Sequence, residues 1–135
     1  MKKGIIALTV SFLAVSAAAQ QPVSADRFAD AVNHWNKEHG AQTYERYKPD
    51  RFREIADNIV AYQNADGGWP KNLDMLARLD PDSVKAALKP RHRLSTLDNA
   101  NVYTQVEYLS NVYLLTGDTL YRNSARRGME YMLSA

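Results

Sequence analysis

Only two residues, Gly117 and Asp118, separate two helical stretches near the C-terminal end of the chain, and this junction limits the fold more than any other feature. Before it, Val102, Val106, Leu109 and Tyr113 recur at helical spacing; after it, Tyr121, Ala125, Gly128 and Met132 do the same. Gly117 suits a left-handed helix stop, and Asp118 suits an N-cap for the following helix. So short a connection makes the two helices antiparallel neighbours, a helical hairpin whose first arm opens near Asp98. Tyr103, Tyr108, Tyr113 and Tyr121 are expected to pack between helices.

Upstream, residues 24–39 carry Ala25, Phe28, Ala29, Val32 and Trp35 on one stripe, with Ser24 as a candidate cap and Gly40 as a stop. Residues 50–64 repeat the pattern with Phe52, Ile55, Ala56, Ile59 and Tyr62, behind Pro49 and ahead of Gly67-Gly68. At an offset of 27 residues, Ala29-Asp30, Val32, Trp35 and Gly40 match Ala56-Asp57, Ile59, Tyr62 and Gly67, a hint of duplication. Pro81 opens a short helix ending near Leu88, before Pro90 and the basic loop Arg91, His92, Arg93. No run alternates like a strand, so the expected fold is all-α, built of helical hairpins.

The chain opens on a basic, apolar, small-residue layout: Lys2-Lys3, then an apolar run over residues 4–15, then Ser16-Ala17-Ala18-Ala19. Residues 1–19 thus read as a secretory signal peptide, too short for a comfortable membrane span. Lys2 and Lys3 account for the whole excess of 17 basic over 15 acidic residues, leaving residues 20–135 with no net formal charge. Such a chain has no electrostatic footprint for nucleic acid. It contains no Cys, so no disulfide framework supports it and no thiol nucleophile exists. The expectation is a secreted, monomeric protein, periplasmic or extracellular, with no membrane attachment after signal removal.

Two short segments carry chemistry. In Asp66-Gly67-Gly68-Trp69-Pro70-Lys71-Asn72, Trp69 could face a sugar ring or plug the core. Lys71 offers a cation to a carboxylate, and Asn72 a two-way amide. In Ser95-Thr96-Leu97-Asp98-Asn99, Asp98 and Asn99 supply hard oxygens suited to calcium, or Thr96 or Asp98 simply caps a helix. His34, His39 and His92 lack zinc-ligand spacing, and no G-x-S-x-G elbow occurs.

The order of these segments, with Ile55-Ala56-Asp57-Asn58 and Tyr62-Gln63 before them and Tyr103-Thr104-Gln105-Val106-Glu107-Tyr108-Leu109, Thr116-Gly117-Asp118, Tyr121 and Gly128-Met129-Glu130-Tyr131-Met132-Leu133 after them, resembles the pectate lyases of polysaccharide lyase family ten over residues 52–135. One departure stands out: Asn99-Ala100-Asn101-Val102 replaces the family's Asn-Gly-Ala-Thr. The resemblance implies a secreted, calcium-dependent lyase that cleaves polygalacturonate by β-elimination, with residues 20–135 as the N-terminal part of an (α/α) toroid. It implies Asp98 as a metal ligand and Trp69, Lys71, Asn72 and Asn99 as substrate-binding residues. It also implies an arginine base; none of Arg91, Arg93, Arg126 or Arg127 matches its motif, so the base is expected downstream of Ala135, where the last helix is still running. The alternatives are a non-catalytic helical module binding acidic polysaccharide through Trp69, Lys71 and residues 91–93, or a helical-repeat interaction domain.

Overall fold

The computed structural model describes residues 23–41 and 44–135. The signal-peptide reading of residues 1–19 falls outside them. Five α-helices follow in order: α1 (Ala29–His39), α2 (Phe52–Tyr62), α3 (Pro81–Ala87), α4 (Tyr103–Thr116) and α5 (Thr119–Ser134), with 3-10 turns at Asp26–Phe28, Pro90–Arg93 and Asp98–Ala100. Among the described residues the only strand-like pairing is an isolated antiparallel bridge between Arg46 and Ala77. The all-α expectation holds.

The α4–α5 hairpin forms as its junction dictates. Gly117 sits in the left-handed region (φ 69°), its N–H donating to Tyr113 O at 2.7 Å, and the Asp118 carboxylate accepts from Leu120 N at 2.9 Å. Against this hairpin lies α2, whose Phe52, Ile55, Ala56, Ile59 and Tyr62 are all buried as the stripe predicts. The link to α5 is also polar. The Gln63 amide donates to Gly67 O at 2.8 Å and Ser124 O at 3.0 Å, while its oxygen accepts from Ser124 Oγ and Arg127. The Tyr121 hydroxyl donates to Asp57 at 2.8 Å, tying α5 to α2 again.

α1 follows its stripe only in part. Phe28 and Trp35 are buried and Phe28 meets Tyr108 edge-on at 5.5 Å, but Ala29 is exposed and Val32 half-buried. The helix begins as a 3-10 turn, and Ser24 Oγ accepts from Asp26 N at 3.3 Å one residue ahead of the formal cap. The hint of duplication survives at the helix ends alone: Trp35 and Tyr62 are both buried, and Gly40 and Gly67 both have positive φ. Tyr103 departs from the tyrosine stripe, lying 53% exposed at the first turn of α4.

Residues 44–48 and 73–78, which carry no helical periodicity, are fastened by an ion pair whose carboxylate is buried and whose guanidinium is partly exposed. The Asp74 carboxylate accepts from Arg46 Nε at 2.6 Å, Tyr44 OH at 3.1 Å and Leu76 N at 3.0 Å. The Arg46 guanidinium also reaches Asn36, which holds this layer to α1. Asn58 of α2 donates to Met75 O and Ala77 O, both at 3.0 Å, and completes the join.

The largest departure concerns the start of α4. Its first residue is Tyr103, not a position near Asp98, and the intervening chain is strained. Asn99, Ala100 and Val102 all have positive φ, at 56°, 55° and 70°. Asn tolerates this region, Ala does not, and Val is least suited of all. Val102, at ψ −53°, forms a tight γ-type bend whose side chain is fully buried. Thr104 Oγ1 donates back to Ala100 O at 3.0 Å, so the next helix helps hold the bend. Ala100 stands where the resemblance expects glycine. Ala100→Gly is therefore expected to stabilise the protein by about 0.5–1 kcal/mol, the relieved strain exceeding the added unfolded-state entropy. Chemical denaturation would read this as a higher midpoint; an unchanged or lower midpoint would mean that the bend is not strained.

Candidate functional site

The two chemistry-bearing segments meet above the α2–α5 join. Gly67 and Gly68 allow the meeting. A Cβ at Gly67 would lie 2.5 Å from Arg127 O, and one at Gly68 would lie 2.6 Å from Ser95 Cβ. The backbone of the first turn thus rests on α5 on one side and on the second segment on the other.

Hydrogen bonds then lock the segments together. The Asp66 carboxylate accepts from Gly68 N at 3.0 Å and Ser95 Oγ at 2.7 Å, and Asn64 donates to Ser95 Oγ at 2.9 Å. Asn101 donates to Trp69 O and Thr96 O, both at 2.7 Å, and Gln105 holds the Asn101 oxygen at 2.8 Å. Sequence reading passed over Asp66, Ser95 and Asn101 as positioning residues. Asp66 and Ser95 lie within the two motifs and Asn101 just beyond the second, but only the fold shows that they join one motif to the other.

Trp69 is wholly buried. Its indole N–H donates to Ile59 O at 2.6 Å and its ring lies against Gly128, where a Cβ would come within 2.8 Å. Of the two roles open to it, the folded chain uses it as a core plug beneath the turn and leaves no indole face for a sugar. The other four candidates share one surface. Lys71 Nζ reaches the Asp98 carboxylate in an ion pair, both side chains about half exposed. Asn72 and Asn99 flank them, both in left-handed backbone (φ 61° and 56°), and all four line a shallow depression with Asn101, Thr104 and Arg27.

The Lys71 hydrogen bond and positive charge hold the Asp98 carboxyl below its ordinary range. A lowered folded-state value means that the pair's contribution is present above the unfolded carboxyl's range and lost as pH falls through the lower folded one. Lys71→Met is therefore expected to raise the Asp98 titration midpoint, measured by carboxyl-detected NMR. An identical midpoint in both proteins would show that the pair does not form.

Among the described residues no group of three or more His, Asp or Glu side chains could hold a metal. A calcium ion takes six to eight oxygens, and here the depression offers two carboxylates: Asp98, already engaged by an ammonium, and Asp30, which lies 3.8 Å from His34. These residues do not complete a calcium shell by themselves. Of the four arginines weighed as the base, three are committed elsewhere and Arg91 bonds only to its neighbour. Arg93 donates to Leu88 O and Ala86 O at 2.8 Å each, Arg127 reaches Gln63, Arg126 lies 3.7 Å from Glu130, and Arg91 donates to His92.

The open face of this all-helical frame carries Lys71 and Arg27, the carboxylates of Asp98 and Asp30, and the amides of Asn72, Asn99 and Asn101. The family model described as pectic acid lyase matches residues 63–135, more than half the chain and both segments of the site, and the protein belongs to that family. No curated protein and no solved structure gives a significant match.

Proposed function

We propose that the chain is the N-terminal portion of a secreted, calcium-dependent pectate lyase of polysaccharide lyase family ten, acting as a monomer on polygalacturonate. The observation that carries this reading is the docking of the Gly-Gly-Trp-Pro-Lys-Asn turn onto the Ser-Thr-Leu-Asp-Asn segment, which puts Lys71, Asn72, Asp98 and Asn99 on one face. The α4–α5 hairpin would be one of several lining a toroid.

The reaction removes the proton α to a uronate carboxylate and expels the glycosidic oxygen. Negative charge grows on that carboxylate in the transition state, so groups that meet it lower the barrier. Lys71 is placed to take the carboxylate, and the Asn72 and Asn99 amides to hold neighbouring hydroxyls. Asp98 keeps Lys71 extended until substrate arrives, then competes for it. Bound calcium would supply further neutralisation, with Asp98 as one ligand and the remaining oxygens coming from the substrate or from other parts of the protein. The arginine that lines the depression, Arg27, is paired with Glu107 at 2.9 Å, so the base is assigned to another part of the enzyme.

The test follows the ultraviolet absorbance of unsaturated uronate from polygalacturonate, with calcium and with chelator, alongside a binding measurement. The expected result for this chain is binding without product. Calcium-dependent product would place the base within these residues, against the reading above. A folded, helical chain that binds no polygalacturonate under either condition would overturn the proposal, including its alternative as a non-catalytic glycan-binding module.

A further inference from the structure

Beyond Lys71 and Asn72, away from Asp98, the surface deepens into a cleft of about 330 Å³ between the C-terminal half of α1 and residues 88–96. This is at the small end of the range for ligand pockets, about 300–1,000 Å³. Its walls are mixed in a particular way. Trp35, Leu73, Leu88 and Leu94 give it apolar surface, and Leu94 is 67% exposed at the rim. Arg91 and His92 stand on one side and Lys71 on another, against one acid, Glu38.

Arg91 differs from the neighbouring Arg93. Arg93 is spent on the carbonyls that end α3, whereas Arg91 donates to Nε2 of His92 at 3.1 Å and pairs with no carboxylate among the described residues. Trp35 is buried to 6% exposure, its ring stacked on His39 at 3.9 Å, and its indole N–H meets no acceptor among the described residues. An unpaired guanidinium beside apolar walls suits a ligand with a carboxylate on one edge and C–H groups on its faces.

We propose that this cleft is a second uronate subsite, which takes a unit of the same polysaccharide that meets Lys71 and Asp98. The proposal rests on the lyase-family reading above and extends it. Two observations favour an acidic sugar over a free anion: Lys71 and Asn72 line both the cleft and the shallow depression, so one chain can run across both, and the apolar walls offer nothing to a bare ion. Arg91 would hold the carboxylate, and Trp35, Leu88 and Leu94 the ring face.

The test compares digalacturonate with hexagalacturonate by titration calorimetry on the intact chain. Arg91 is exposed and its side chain bonds only to its neighbour, so Arg91→Gln should fold, which circular dichroism confirms. The expected result is about tenfold weaker binding of hexagalacturonate for Arg91→Gln, the size of one charge-assisted contact. Leu94→Ser, which changes no charge, should weaken the hexamer too. Unchanged hexamer affinity in both variants, with Lys71→Met still weakening it, would overturn the second subsite and leave the lyase reading standing. Affinity for inorganic phosphate but for neither oligomer would overturn both.

Discussion

Replacing Gly67 with alanine is expected to destabilise the fold by about 3–4 kcal/mol, through two separate costs. The first is backbone strain: Gly67 has φ 92°, a region that L-residues with a Cβ avoid, which costs about 1–2 kcal/mol. The second is close approach. The added Cβ would lie 2.5 Å from Arg127 O and 3.0 Å from Arg127 C, backbone atoms in the middle of α5 that no rotamer change can move. Forcing the turn away from α5 would also stretch the Gln63 bonds to Gly67 O and Ser124 O, a buried network. Overpacking of this kind costs about 1–3 kcal/mol.

Gly117→Ala isolates the two costs. Gly117 has a similar positive φ of 69° but nothing within 4 Å of its would-be Cβ, so it should lose only the strain, about 1 kcal/mol. Gly68→Ala should fall between them: it carries no positive-φ cost, but its Cβ would meet Ser95 Cβ at 2.6 Å, Ser95 Oγ at 2.7 Å and Tyr131 Cε1 at 3.0 Å, and Ser95 Cβ can move only if its backbone segment shifts. The shift would break the Ser95–Asp66 bond that joins the two motifs. Urea midpoints of the three variants measure the order directly. Equal losses at Gly67 and Gly117 would mean that the turn does not rest on α5.

The parts of this molecule that could be read from sequence are those whose cause is local. The α2 stripe and the Gly117-Asp118 junction depend on spacing and on capping within a few residues, and both appear as expected. The segment from Asp98 to Val102 does not. Asp98 and Asn99 have the composition of a helix cap, but the Asn101 amide is drawn to Trp69 O and Thr96 O, and this pull delays α4 by several residues. Trp69 shows the same limit: its local sequence suits both a sugar platform and a core plug. Packing against Gly128, remote in the chain, decides its place. The Arg46–Asp74 pair, 28 residues apart, left no periodic trace at all. The site was legible as two motifs; the bonds that make them one surface were not.

If the proposed function is right, Asp98→Asn in a lyase that carries these residues is expected to lower turnover on polygalacturonate by at least about a hundredfold, the scale for losing a group that organises transition-state charge. The same substitution should have the opposite effect on substrate binding without calcium. Asp98 now competes with substrate for the Lys71 ammonium, and the neutral amide competes far less. Freed, Lys71 should hold a uronate carboxylate more tightly, by a few-fold at low salt, and added salt should erase the gain because both groups are half exposed. Lys71→Met should do the reverse on the binding side, weakening oligogalacturonate in the absence of metal. Measured together, the two variants separate a role for Asp98 in the chemistry from a role in merely positioning Lys71. If Asp98→Asn bound substrate more tightly and still turned over at the normal rate with calcium present, Asp98 would be a restraint on the lysine and nothing more, and the calcium ligand would have to be sought elsewhere.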